Sequence, residues 1–144
     1  MNEFELNPLF FDNKIEIDKR LAQCEKEKAG KLKSVLSYLY LQDGPGNLHK
    51  FARLKPVEVY LSKAEIKAAR WLSTLTTRSR KIYGKNALIA FRAAKGKCNK
   101  CGFADVRCLE IDHTNSVRNC DSPQECICAN CHKIETYQRQ KNDS

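Results

Sequence analysis

Two C-x-x-C pairs, Cys98/Cys101 and Cys128/Cys131, constrain this chain more tightly than anything else in it. Cysteines paired in this way can bring four thiolates to one tetrahedral Zn²⁺ at ~2.3 Å, in a closed site with no open coordination position. Gly102, directly after Cys101, offers the positive φ that a tight metal knuckle needs. Redox C-x-x-C motifs come singly beside a βαβ unit, and no such unit is visible. Structural zinc is therefore the reading. It also explains how so small and polar a segment folds, because metal affinity becomes folding energy.

The chain has 8 cysteines, and outside the two pairs Cys24, Cys108, Cys120 and Cys126 read as core or surface thiols. A disulfide framework calls for a secretory context. Here Glu3, Glu5 and Asp12 precede the first lysine, Lys14, the wrong charge for a signal peptide. The longest clean apolar run, Ala87 to Phe91, falls far short of the ~20 residues of a membrane span. The expectation is an intracellular, cytoplasmic protein with no membrane partner.

Charge divides the chain. It carries 26 Lys+Arg against 17 Asp+Glu, a net charge of +9. Residues 61–100 hold 11 of the basic residues and a single acid, Glu65, whereas the flanking segments nearly balance. Such a surplus exceeds what solubility requires and predicts contact with nucleic-acid phosphates. The candidates are Lys63, Lys67, Arg70, Arg78, Arg80, Lys81, Lys85, Arg92, Lys95 and Lys97. Charges of this kind position a chain on nucleic acid and do not read its sequence.

Charge and periodicity together predict an α+β protein in three parts: a helical region over 1–60, a basic helical segment over 61–97, and a small metal-stabilised module over 98–144. From Ile17, apolar residues recur at Leu21, Cys24, Leu32, Val35, Leu36 and Leu39, an amphipathic pattern that Asp43-Gly44-Pro45-Gly46 stops. Asn47 can cap a short turn carrying Leu48, Phe51 and Leu54, and Val57, Val59 and Leu61 alternate briefly. Ser62-x-x-Glu65 is a capping box, followed by Ala64, Ala68, Trp71, Leu72 and Leu75 at helical spacing, with Trp71 on the core side. A further helix is expected over 86–95, with Leu88, Ile89 and Phe91 as its apolar face and Gly96 as its stop. Val106 to Ile111 reads as a strand and His132 to Lys141 as a helix. The first 60 residues read as a packing and positioning arm.

Between the cysteine pairs the strand ends in Asp112-His113, and His132 directly follows Cys131. A carboxylate and an imidazole side by side can hold a divalent ion while the other faces a water molecule. A ligand beside a rigid knuckle is well positioned to join them. Asp112, His113 and His132 thus make a candidate open site next to the closed one.

In its order of C-x-x-C, then Leu109-Glu-Ile-Asp-His113, then Cys128-Ala-Asn-Cys-His-Lys-Ile-Glu-Thr136, the segment over about residues 86–140 resembles the zinc-containing HNH endonucleases of the ββα-metal (His-Me finger) superfamily. The resemblance implies a ββα core, Cys98, Cys101, Cys128 and Cys131 as zinc ligands, and His113 as general base. It implies Asp112 and His132 as ligands of one catalytic Mg²⁺, Mn²⁺ or similar ion, and DNA as the partner. A neutral imidazole takes a proton from water near neutral pH, where an ordinary carboxylate does so poorly. Single-metal hydrolysis of this kind leaves 5′-phosphate and 3′-hydroxyl ends, with a homodimer if both strands are cut. A nucleoid or a phage-infected cell would suit such a protein. The family's middle Asn, which orients the base through the backbone, has no counterpart in Ser122–Ile127; Asn115, Asn119 and Asn130 are the nearby substitutes. The alternative is a zinc-stabilised nucleic-acid-binding regulatory module that does not cut, and a protein-interaction adaptor ranks third.

Overall fold

A computed structural model describes residues 2–24, 26–44 and 60–142. Helix α1 (Lys14–Ala22) opens at Asn13, whose side chain accepts from the Glu16 amide at 3.2 Å. Helix α2 (Lys26–Tyr40) buries Leu32, Val35, Leu36 and Leu39. The amphipathic run is thus two helices, not one. It breaks where Gln23 turns its amide back to Arg20 and Leu21 and ends α1. The expected turn at Asn47 and the alternation at Val57 and Val59 lie outside the described residues.

Helix α3 (Lys63–Ser73) starts at the capping box, with Glu65 N on Ser62 Oγ at 3.1 Å and Ser62 N on Glu65 Oε1 at 2.8 Å. Glu65 also faces inward, 2% exposed, where Arg20 forks onto it at 2.5 and 2.9 Å and Tyr40 donates at 2.6 Å. Burial alone would raise this carboxyl, but Arg20 outweighs it and holds the group below the usual range. Beyond α3 the chain runs through a π-helical turn (Thr74–Arg78). There the Thr76 and Thr77 hydroxyls bond back to the carbonyls of Leu72 and Ser73 at 2.8 and 2.6 Å.

Helix α4 (Gly84–Ala93) buries Ala87, Leu88, Ala90 and Phe91. Ile89, expected on that face, is 53% exposed, since each helical residue turns about 100° from the last and Leu88 and Phe91 already define the inward stripe. Gly96 ends the turn at φ +70, where a Cβ would come within 2.8 Å of Leu6 Cδ1. Trp71 meets Phe91 edge-on at 6.0 Å, on the core side as the pattern predicts.

The N-terminal residues do not stand off as an arm. Phe11 packs on Tyr40 and Phe91 at 4.9 and 5.9 Å, Phe4 O accepts from Val106 N at 3.0 Å, and Asn2 donates to Asp105 at 2.6 Å. Buried residues from Leu6 to Cys128 form one cluster.

The C-terminal third is a ββα element. Strand β1 (Leu109–His113) pairs antiparallel with β2 (Gln124–Cys128), placing Leu109 opposite Cys128 and His113 opposite Gln124. Helix α5 (Ala129–Asn142) follows β2 without a break. Val106–Cys108, read as strand, is a 3₁₀ turn because the Asp105 carboxylate accepts from the Arg107 amide at 2.9 Å. The described residues therefore form an α+β fold of five α-helices and one two-stranded sheet. None of these helices is long and apolar enough to cross a membrane.

Candidate metal centre and adjoining polar cavity

The two knuckles meet. The Sγ atoms of Cys98, Cys101, Cys128 and Cys131 all lie within 4.8 Å of one another, and those of Cys101 and Cys128 are 3.7 Å apart. Four ligands at ~2.3 Å from a tetrahedral centre stand about 3.8 Å apart, so the spacing fits. Gly102 takes φ +78, as the knuckle requires. Amides of Lys100 and Cys101 point at Cys98 Sγ, and that of Cys131 at Cys128 Sγ, each at 3.4 Å. Burial disfavours the Cys98 thiolate, yet the amides of Cys101, Cys128 and Lys100 outweigh it and bring the thiol down to about 6. Cys131 is pushed up to about 12, by desolvation first and then by the sulfurs of Cys128, Cys101 and Cys98. Four sulfurs this close cannot all ionise alone; a cation among them removes the conflict. The cluster could hold a structural metal ion such as zinc.

Strand β1 distributes the other candidates by its alternation. Glu110 and Asp112 face α5, while His113 turns toward the segment before α4. His132 lies in the first turn of α5, with Nε2 3.2 Å from Asp112 Oδ1 and Nδ1 2.6 Å from Glu110 Oε1. His113 Nε2 lies 2.6 Å from the Ile82 carbonyl, and its ring packs against Tyr83 at 5.1 Å. A carbonyl only accepts, so Nε2 carries the proton and Nδ1 is left as the acceptor. Asp112, His113 and His132 all line one cavity of about 420 Å³, together with Tyr83, Arg118 and Arg139. Asp112 and His113 are otherwise buried, at 4% and 5% exposure.

The chain matches no known protein-family profile, and neither curated proteins nor solved structures give a significant match.

The donors suit a second ion in part. Two ligands at ~2.1 Å in adjacent octahedral positions lie about 3 Å apart, close to the Asp112–His132 separation. Glu110 on His132 Nδ1 is the kind of carboxylate that orients a metal-bound imidazole. Against this, Arg139 forks onto Asp112 at 3.0 and 2.5 Å and already supplies positive charge. That contact holds the Arg139 guanidinium above its usual value.

Glu110, Arg118 and Arg139 escaped the sequence reading, as did the Ile82 carbonyl. Two of them had a signal. Glu110 is two residues from Asp112 and shares its strand face; Arg139 follows His132 by two helical turns. The Asn substitutes do not reach His113. Asn115 accepts from Val117 N, Asn119 from the amides of Asp121 and Ser122, and Asn130 is exposed. Opposite His113, Gln124 instead donates to Tyr83 O at 2.9 Å and so fixes the segment whose Ile82 carbonyl holds the ring.

Of the basic candidates, Lys63, Lys67, Arg70, Arg78, Arg80, Lys81, Lys85, Lys95 and Lys97 are exposed, Lys63 facing Glu3 at 3.2 Å. Arg92 is a correction. It is 7% exposed, and its guanidinium donates to the carbonyls of Tyr38 and of Gln42, the latter at 3.0 Å. It ties α4 to the end of α2, and its donors are spent on backbone carbonyls.

Proposed function

We propose that this chain is an HNH-type endonuclease that hydrolyses phosphodiester bonds in DNA, built on a structural zinc held by Cys98, Cys101, Cys128 and Cys131. The observation that carries the reading is the His113 ring, locked through Nε2 on the Ile82 carbonyl beside Asp112 and His132 in one cavity. His113 Nδ1 takes the proton from the attacking water, and the Ile82 carbonyl stabilises the imidazolium that results. Arg118 and Arg139 hold the negative phosphate oxygens in place. Asp112 and His132 would hold a divalent ion, Mg²⁺ or Mn²⁺, which when bound stabilises charge on the phosphate and the leaving oxygen. Glu110 keeps His132 oriented toward it. The products carry 5′-phosphate and 3′-hydroxyl ends.

Supercoiled plasmid incubated with the purified protein and Mg²⁺ or Mn²⁺ tests this. Wild type nicks or linearises it, and His113→Ala loses about 10²–10⁴-fold in rate. Intact plasmid, together with intact branched and single-stranded DNA, across these metals would sink the reading. One contact favours the non-catalytic alternative, a zinc-stabilised nucleic-acid-binding module: Arg139 neutralises Asp112 with no ion needed.

A further inference from the structure

A second cavity, of about 580 Å³, lies beside the first and is lined by Thr76, Arg80, Lys81, Lys85, Asn86 and Asp121 among others. Most cations near the fold's core have a carboxylate partner: Arg20 has Glu65, Arg107 has Asp105, Arg139 has Asp112, and Lys100 has Glu125 and Glu135. Arg80, Lys81 and Lys85 have none among the described residues, although all three border one concavity. Asp121 offsets only one of these charges. Three cations against one carboxylate around a concave surface leave a net positive field focused there.

The walls are fixed. The Thr76 hydroxyl is tied to Leu72 O and Tyr38 Oη, both at 2.8 Å. Asn86 Nδ2 donates to Cys120 O at 2.6 Å, and Cys120 N to Lys81 O at 2.9 Å. Gly84 sits at φ +58 with Cys120 Cβ only 3.0 Å from where a Cβ would stand, so only glycine lets these segments close up. Tyr83 contributes no side-chain cap to α4.

We propose that this cavity binds a backbone phosphate of a DNA strand whose neighbouring phosphate occupies the His113 cavity. Residues 82–84 join the two: Ile82 holds His113, Tyr83 lines the first cavity, and Gly84 lines the second. A strand crossing Tyr83 therefore meets both. The assignment rests on the nuclease reading for what happens in the first cavity, and its own content is the phosphate anchor in the second.

The test is binding of a labelled DNA duplex of about 20 base pairs, followed by anisotropy over a salt titration, in a His113→Ala background so that nothing is cut. Lys81→Gln/Lys85→Gln weakens binding about tenfold and lowers the salt slope by about two. Lys31→Gln/Lys33→Gln on α2 removes the same charge from another exposed face and changes affinity by about twofold or less. Equal weakening by both pairs, or none by the cavity pair, overturns the anchor. The plasmid assay is separate. Cavity-specific binding without cutting by wild type ends the nuclease reading alone, and cutting without cavity-specific binding ends the anchor alone.

Discussion

Glu65 and Asp112 are buried carboxylates, each forked by an arginine, one between α1 and α3 and one between β1 and α5. Around Glu65 every lone-pair direction is used: Oε1 accepts from Arg20 and Ser62 N, and Oε2 from Arg20 and Tyr40. Asp112 differs on one side. Among the described residues its Oδ1 meets Arg139 and His132, its Oδ2 meets Arg139 alone, and the group borders an open cavity. A sealed, saturated carboxylate can only hold a fold together. One that has capacity left beside empty space can also take a ligand.

Removing the metal makes the largest difference between the two. Strand β2 and helix α5 run directly into Cys128 and Cys131, so with an ion in the four-cysteine cluster the Asp112 side would depend on it, since such binding in small zinc modules is worth on the order of 10 kcal/mol. The Glu65 clamp is held by helix packing. Chelation of the zinc is expected to remove hydrogen-exchange protection from residues 98–140 while α2 and α3 keep theirs. Uniform loss along the chain would erase the distinction. Metal analysis of the intact protein should find about one zinc per chain.

Substitution separates them next. On the proposed nuclease reading, Asp112→Asn is expected to cost cleavage about 10²-fold or more with only a small change in melting temperature. Glu65→Ala strands Arg20 and Tyr40 and costs about 3 kcal/mol of stability, while cleavage per folded molecule stays at the wild-type level. If Asp112→Asn proves as destabilising as Glu65→Ala, Asp112 is another structural clamp.

Acid probes the sealed carboxylate directly. Glu65 titrates below its unfolded value of ~4.3, so its contribution to stability is complete above that pH. It fades as pH falls through the lowered folded value. Denaturant midpoints measured from neutral pH down into that range should therefore fall, and the Glu65→Gln variant should fall less steeply.

What could be read from sequence follows physical range. The cysteine knuckles and the Ser62–Glu65 box were legible because their partners lie three residues apart and their geometry is local. The Asp112, His113 and His132 positions were legible as residue types in order. Their environment was not, since the Ile82 carbonyl reaches His113 from a segment 31 residues away and Arg139 closes on Asp112 from the end of α5. Glu65 shows the same divide: its capping role is written within four residues, whereas its clamp to Arg20 spans 45. The basic stretch misled at Arg92, because charge in a sequence says nothing about which way a helix faces.

That residue provides the smallest test. Arg92 donates through its fork to the Tyr38 and Gln42 carbonyls, and burial lowers its guanidinium below the usual value. Lysine keeps the charge but cannot match two carbonyls at once. Arg92→Lys is expected to cost about 1–2 kcal/mol in urea unfolding, the scale of hydrogen bonds from a charged donor. It should leave DNA affinity and its salt slope unchanged, whereas Lys81→Gln/Lys85→Gln does the reverse and leaves stability alone. A fall in DNA affinity for folded Arg92→Lys would mean that Arg92 leaves its carbonyls to meet phosphate, and the boundary between fold-holding and ligand-holding cations would have to be redrawn through α4.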